Sequence, residues 1–251
     1  MSLSRDFFDL NLKFARRISE VMNQSLQQSL LEYTHLYLSF GLGRDFDSEN
    51  TIWQSYLHGL GKDADQAEYT YQFYLSQEEE QSKQEPDNAF GCFSYALWDG
   101  NRIRLHFRNA TNVRGILQRQ HIPERIAELR AMFTYVYQNV PVTSTVVGGS
   151  WLYNIEAYRR LFPGSYLESA QAGDDEFQFM ALWGQFLCYD GSVRQPLAHQ
   201  FLEGIKKQTT MAGLQSQFPY QVLRLESPVQ DFYVHYGIES NSFSTAVEET
   251  M

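Results

Sequence analysis

The sequence predicts an α/β fold: a mixed β-sheet with flanking helices, preceded by a helical N-terminal segment. Apolar residues recur at three- and four-residue steps through residues 5–40, the periodicity of an amphipathic helix. Residues 90–108 alternate between apolar and polar side chains around an Asp-Gly turn, which is typical of a β-hairpin. A helical pattern at 124–139 and a β-branched run at 143–147 then complete a βαβ unit.

The N-terminal segment (1–75) is predicted to be helical for most of its length. A break is expected near Asn23, and a second helical pattern covers residues 50–60. The aromatic run at 69–75 fits a strand or a helix equally well.

Three composition changes divide the rest of the chain. The polar, acidic run at 76–88 predicts a long loop and a boundary between the helical segment and an α/β domain over 89–238. Residues 239–251 predict a flexible polar tail.

The hairpin register follows from the need to keep apolar residues on one face. A two-residue turn would set these residues opposite arginines, so a three-residue turn over 99–101 is favoured. That turn predicts the pairs Phe93–Phe107, Tyr95–Leu105 and Leu97–Ile103. Because a helix connects them, strands 102–107 and 143–147 should be parallel.

A two-glycine corner is predicted after the β-branched run. Gly148 and Gly149 can take positive φ, and the Ser150 hydroxyl can cap a helix that ends at Pro163. The corner is similar to a Gly-x-Ser-x-Gly nucleophile elbow, but Leu152 replaces the final glycine. A tight turn is therefore favoured over a nucleophilic serine.

The last third of the chain repeats the same order in outline. Residues 177–187 predict a strand, 196–207 a helix, 218–225 a strand, and 229–236 a helix that ends at Gly237. Two βαβα blocks would follow, although the two blocks do not match residue by residue.

Composition excludes several classes of protein. A net charge of −10 argues against a general nucleic-acid binder, which neutralises phosphates with basic side chains. Two cysteines without a CxxC pair, and six histidines without metal-ligand spacing, predict neither a disulfide framework nor a metal site. With no membrane-spanning run and no signal peptide, a cytoplasmic protein without membrane contact is expected.

Positive charge is concentrated in one stretch of this acidic chain. Residues 101–130 carry seven arginines against two glutamates, a local charge of +5. A loop of guanidinium groups leading into a helix suits an anionic ligand. The alternative is that these arginines pair with nearby acids. His106 is the one histidine on the arginine face and the candidate acid–base group. The seven arginines of residues 101–130 are Arg102, Arg104, Arg108, Arg114, Arg119, Arg125 and Arg130.

The order hairpin, loop, helix, strand, helix resembles that of the GNAT-type N-acetyltransferases. In that family a glycine-containing loop holds the pyrophosphate of acetyl-CoA, and a tyrosine on the helix after the next strand protonates the leaving thiolate. The loop at 112–117 keeps the central glycine of that motif, Gly115, and Asn154 and Tyr158 resemble the family's Asn and Tyr. The resemblance implies an acetyl-CoA or other acyl-CoA cofactor, with Tyr158 as the catalytic residue. The implied cofactor-binding residues are Arg114, Gly115, Ile116 and Arg119.

The second block offers a competing location for the same site. Tyr233 and Gly237 match the family's Tyr-x-x-x-Gly ending, but the loop that starts at Arg194 has no glycine. Three functions therefore stay open: an acyl-CoA-dependent N-acyltransferase acting on a small molecule, a non-enzymatic binding or scaffold protein, and a hydrolase that uses Ser150 or Cys188.

Overall fold

The computed structural model describes residues 2–81, 88–110, 113–173 and 180–238, and its first five helices precede all of its strands. The helices are α1 (Arg5–Met22), α2 (Leu26–Tyr33), α3 (Leu36–Ser39), α4 (Thr51–Leu60), α5 (Gln66–Gln81), α6 (Ile122–Asn139), α7 (Glu156–Arg159), α8 (Gly164–Glu168), α9 (Gln195–Ile205), α10 (Met211–Gln215) and α11 (Val229–Tyr236). The strands are β1 (Ala89–Phe90), β2 (Phe93–Trp98), β3 (Arg102–Phe107), β4 (Thr145–Ser150), β5 (Gln171–Ala172) and β6 (Leu223–Pro228). Short 3-10 helices cover Arg119–His121, Trp151–Asn154 and Met180–Phe186.

The strands form one mixed sheet in the order β1-β2-β3-β4-β6-β5. Strands β3 and β4 are parallel, and β6 is antiparallel to β4. The predicted α/β class, with its mixed sheet, flanking helices and helical N-terminal segment, is confirmed.

The predicted hairpin register and the parallel crossover are both confirmed. Phe93 lies opposite Phe107, Tyr95 opposite Leu105, and Leu97 opposite Ile103. The turn between β2 and β3 takes positive φ at Asp99 and Gly100, which lets three residues close the hairpin. Helix α6 has Pro123 in its first turn, where the missing N–H costs no hydrogen bond.

The predicted two-glycine corner is wrong, because Gly148 and Gly149 lie inside strand β4. They pair with Leu225 and Arg224 of β6, so this part of the chain continues the sheet and does not turn. The turn comes at Ser150, whose hydroxyl accepts a hydrogen bond from the Leu152 N–H at 3.1 Å and caps a 3-10 helix.

Glycine at position 148 is required by close packing rather than by a turn. A Cβ atom there would lie 2.1 Å from the Tyr166 hydroxyl oxygen and 2.3 Å from that of Tyr153. These two buried hydroxyls share a hydrogen bond of 2.9 Å directly against the strand.

The predicted second βαβα block does not form. Residues 180–186 of its expected first strand form a 3-10 helix, and 174–179 lie outside the described residues. The pattern misled because Trp183 and Phe186 are buried among aromatic rings, and an apolar run buried on several sides has no strand-specific period. Helix α11, in contrast, ends at Gly237 as predicted.

The N-terminal segment is helical, with the break where the sequence predicts it. Asn23 takes the left-handed conformation (φ 52°) that ends α1. The aromatic run at 69–75 belongs to helix α5, and this helix continues into the polar run as far as Gln81. Residues 82–87 of the predicted loop and the predicted tail at 239–251 lie outside the described residues.

Two hydrophobic cores divide the chain in a way that its linear order does not indicate. The helical core combines residues of α1–α5 with residues between 182 and 222. The sheet core lies between the sheet and helices α6 and α11, where Phe133 stacks on Phe232 at a centroid distance of 4.6 Å. The chain thus leaves the helical core after α5 and returns to it at residue 182.

We predict that Gly148→Ala destabilises the fold by about 1–3 kcal/mol, the usual cost of adding atoms to a packed core. The physical reason is the buried hydroxyl pair of Tyr153 and Tyr166, which would have to move. Urea unfolding monitored by tryptophan fluorescence measures the change. Gly164→Ala is the matched control, since a Cβ there has no heavy atom within 4 Å. Equal stability of the two variants would contradict the packing role of Gly148.

Candidate functional site

A cleft opens where the parallel strands β3 and β4 separate. They pair at three positions, ending with Arg104 opposite Val147. Beyond that point β3 keeps its pairing with β2, and β4 keeps its pairing with β6. The cleft therefore lies at the carboxyl ends of two parallel strands, which is where open α/β sheets bind ligands.

The cleft has a volume of about 550 Å³, the size of a small-molecule site. One wall is β3 with the loop that follows it, and another is the start of the 3-10 helix after β4. The third wall comes from residues 184–194, some of which are part of the helical core. The cleft thus lies between the two cores.

The side chains that line the cleft are largely apolar, and the charged ones among them are positive. Leu105, Phe107, Ile116, Leu152 and Leu187 supply much of the apolar surface. Arg108 and Arg194 are exposed and line the cleft, while none of its described lining residues is an aspartate or a glutamate. In a chain of net charge −10 this is a local reversal that favours an anionic ligand.

The residues that the sequence analysis assigned to a site are only partly brought together. Gly115, Ile116 and Tyr158 line the same cleft although they are far apart in the chain. Arg114 and Arg119 are exposed on the loop before α6 and are not among the lining residues.

The alternative second-block site is split by the fold. Arg194 joins the cleft, but Tyr233 is buried in the sheet core against the ring of Tyr137, with centroids 5.1 Å apart. Asn154 has a structural role, because its side-chain amide donates to the carbonyl oxygens of Trp151 and Gln221.

Gly115 forms a tight turn at the edge of the cleft. Its φ of +73° favours glycine, and its carbonyl oxygen accepts a 2.7 Å hydrogen bond from the Gln118 N–H. A Cβ atom there would also lie 2.6 Å from the Gln118 side chain. Substitution at this position therefore strains the turn whether or not a ligand binds, so Gly115 variants are poor reporters of binding.

Tyr158 lies at the floor of the cleft within a cluster of buried tyrosines. Its ring packs edge-on against Phe107 at a centroid distance of 5.3 Å and lies 5.2 Å from the ring of Tyr153. Burial raises the pKa of Tyr158 well above its ordinary value, because phenolate is poorly solvated there. The Tyr158 hydroxyl is therefore protonated at neutral pH.

The hydrolase alternative brings its two candidate nucleophiles and a histidine into the same cleft. Ser150, Cys188 and His106 all line it. The Ser150 hydroxyl accepts the capping hydrogen bond, and no carboxylate among the described lining residues is available to orient His106 as in a catalytic triad. The arrangement gives this alternative little support.

The seven arginines of residues 101–130 do not form one anion-binding surface. Arg125 is buried and paired at 2.8 Å with both Glu124 and Glu128, so here the alternative of pairing with acids holds. Arg102 pairs with Asp99 at 3.0 Å. Arg108, Arg114 and Arg119 are exposed and have no ion pair with any described residue.

Of residues 184–189, sequence reasoning singled out only Cys188, as a candidate nucleophile. Residues 184–187 belong to the segment that was predicted to be a strand of the second block, and no motif marks them. Only the return of the chain to the helical core brings Leu187 and Tyr189 to the cleft.

Searches of the described residues and comparisons with known proteins add the following findings. No group of three or more metal-ligating side chains was found within residues 2–81, 88–110, 113–173 and 180–238. Over the same ranges no helix has the length and apolarity that crossing a bilayer requires. Neither protein-family models nor curated proteins nor solved structures gave a match to the chain.

We predict that His106 contributes to a loss of stability in acid. Burial, followed by the nearby Arg104 and Arg44, lowers the pKa of His106 from 6.5 to about 4. The unfolded chain therefore binds more protons between pH 6.5 and 4, so this contribution is complete above pH 6.5 and is lost as the pH falls towards 4. Replacing His106 with Gln should make unfolding less pH-dependent in that window than in the wild type.

Urea unfolding at pH 8.5, 7.5, 6.5, 5.5 and 4.5 measures this difference. His35, which is partly buried and whose pKa is also lowered to about 4 by burial, stays in both proteins and leaves a residual pH dependence. The difference in free energy of unfolding between the variant and the wild type should be constant from pH 7.5 to 8.5, which serves as the control. A difference that stays constant down to pH 4.5 would contradict the lowered pKa.

Proposed function

We propose that this protein is an acyl-CoA-dependent acyltransferase whose thioester substrate binds in the cleft between β3 and β4. The observation that carries the proposal is the position and charge of this cleft. It lies at the carboxyl ends of two diverging parallel strands, and its described lining combines apolar side chains with Arg108 and Arg194 and no carboxylate.

This lining fits the chemistry of an acyl-CoA. Phosphate groups need fixed positive charge at the mouth of a site, and a guanidinium provides both charge and directed donors. Arg108 and Arg194 provide these groups. The uncharged pantetheine arm and the acyl group need a largely apolar channel, which Leu105, Phe107 and Leu152 provide.

Tyr158 is the residue that we assign to the reaction. Free thiols have a pKa near 8.5, below that of a buried tyrosine, so complete proton transfer from Tyr158 to a leaving thiolate would be unfavourable. Its role is to donate a hydrogen bond to charge that develops on the thioester as the amine attacks. This assignment keeps the residue and replaces the proton transfer implied by the family resemblance with electrostatic stabilisation.

We predict that acetyl-CoA raises the unfolding temperature and that removing cationic groups at the cleft weakens its binding. Arg108→Ala and Arg194→Ala should each weaken binding by about ten- to a hundredfold, because a charge-assisted hydrogen bond contributes roughly 1.5–3 kcal/mol. A thermal-shift titration with acetyl-CoA, free CoA and desulfo-CoA detects binding, and calorimetry gives the dissociation constants.

Arg160→Ala is the matched control, since Arg160 is exposed and is not among the cleft's lining residues. Gly184→Leu is a second probe that does not depend on charge. A Cβ at position 184 lies at an ordinary 3.5 Å from Trp151, and the longer side chain would occupy the cleft. Absence of binding by every CoA species would overturn the proposal.

We predict that Tyr158→Phe lowers the turnover number by about a hundredfold with little change in KM, since the lost hydrogen bond acts mainly in the transition state. The phenylalanine ring keeps the packing against Phe107, so the fold should be retained. Release of the free CoA thiol in the presence of a panel of amines measures the rate. Binding of acetyl-CoA without thiol release by the wild type would instead indicate a non-catalytic binding protein.

A further inference from the structure

The lining of the cleft disfavours a charged amine. Arg108 and Arg194 repel a cation before any anion is bound, and neither pairs with an acid among the described residues. The proposed function places the thioester against the apolar side chains of Leu105, Phe107 and Leu152, where an ammonium ion would lose its hydration. Alkylamines are ammonium ions at neutral pH, since their pKa is near that of lysine, about 10.4. The cleft therefore favours an amine that is uncharged at this pH.

The described lining residues also offer no strong base to remove a proton from an ammonium ion. None of them is a carboxylate, and the pKa of their one histidine, His106, is lowered to about 4 by burial, followed by Arg104 and Arg44. Tyr158 stays protonated at neutral pH, because burial raises its pKa. Only the uncharged form of an amine has the lone pair that attacks a thioester. An acceptor in this cleft therefore has to arrive as the neutral amine.

Aromatic rings line the cleft from three separate parts of the chain. Phe107 comes from β3, Trp151 from the 3-10 helix after β4, and Tyr189 from the third wall. Pairs of aromatic rings attract each other more strongly than their buried area alone predicts. The lining therefore also favours a ligand that carries an aromatic ring.

The ring of Trp151 is held in place before any ligand binds. It stacks on Tyr220, with centroids 6.1 Å apart and planes 12° apart. The buried Gln185 side chain accepts a hydrogen bond from the Tyr220 N–H at 2.9 Å and donates one to the Tyr220 carbonyl oxygen at 3.3 Å. The Asn154 amide donates to the Trp151 carbonyl oxygen at 2.8 Å. A ring that is already fixed loses little further freedom on binding, which favours affinity.

We propose that the acyl acceptor is an aromatic amine, in which the nitrogen is bonded directly to the ring. Its lone pair is partly shared with the ring, so the nitrogen is uncharged at neutral pH and the molecule meets both requirements of the lining. The nitrogen attacks the thioester carbon, a C–N bond forms, and the C–S bond breaks with its electron pair leaving on sulfur. The proton that the nitrogen loses passes to the thiolate, which gives the amide and free CoA. The role of acceptor rests on the proposed function, whereas the preference for an uncharged aromatic amine is measurable without CoA.

The binding test is an NMR titration of the isotope-labelled full chain at neutral pH without any CoA compound. The ligands are aniline, benzylamine and benzyl alcohol, which is the uncharged analogue of benzylamine. The Trp151 indole N–H, identified by its loss in Trp151→Phe, reports on the cleft. We expect saturable shifts with aniline and with benzyl alcohol, and binding of benzylamine that is weaker by about tenfold or more.

Arg194→Glu places a carboxylate at the cleft and should strengthen benzylamine binding about tenfold relative to benzyl alcohol. Arg160→Glu is the matched control and should keep the wild-type ratio, since Arg160 is exposed and is not among the cleft's lining residues. Equal binding of benzylamine and benzyl alcohol by the wild type, absence of a saturable shift with aniline, or an unchanged ratio in folded Arg194→Glu would each overturn the proposal.

Turnover separates this proposal from the proposed function. Release of the CoA thiol from acetyl-CoA at neutral pH should be faster with aniline than with benzylamine. Faster release with benzylamine would overturn the acceptor class and leave the acyltransferase function standing. Absence of release with every amine would overturn the acyltransferase function and with it the role of acceptor, while the binding titration would still decide which amines the cleft prefers.

Discussion

The pairing of β3 with β4 lasts for three residue pairs, and the cleft depends on that early separation. Beyond that point β3 stays paired with β2 and β4 stays paired with β6, so the separation leaves those two ladders intact. The free space between the strands becomes the cleft, and Gly149 at its edge also lines a smaller concavity of about 360 Å³. On the core side, the hydroxyl pair of Tyr153 and Tyr166 fills the space that a side chain on Gly148 would need.

The division into two cores gives the cleft its third wall. A sheet with helices on one face would leave the ends of β3 and β4 open, but residues 184–194 close the space from the side of the helical core. The cleft therefore combines groups from parts of the chain that pack separately.

The charge of the chain is arranged by pairing more than by local composition. The arginine-rich stretch supplies one buried ion pair (Arg125 with Glu128), one stacked guanidinium (Arg104 on Trp98) and one exposed group at the cleft (Arg108). The second guanidinium of the cleft, that of Arg194, comes from elsewhere in the chain. A local excess of +5 therefore indicated positive charge in the right region without indicating which side chains face a ligand.

Local patterns in the sequence determined the N-terminal helices, the hairpin with its three-residue turn, helix α6 and the parallel crossover, because periodicity and turn residues act over short distances. They also brought Gly115 and Tyr158 to one cleft, since a right-handed βαβ unit places the loop after its first strand beside the end of its second. Only the tertiary structure decided that Gly148 and Gly149 extend a strand, because their environment is set by Tyr153 and Tyr166. It likewise decided that residues 182–222 leave the sheet and join the helical core. The periodicity of a buried apolar run such as 180–186 does not indicate which core it packs against. Whether such a run joins the sheet or the helical core therefore depends on contacts between distant parts of the chain.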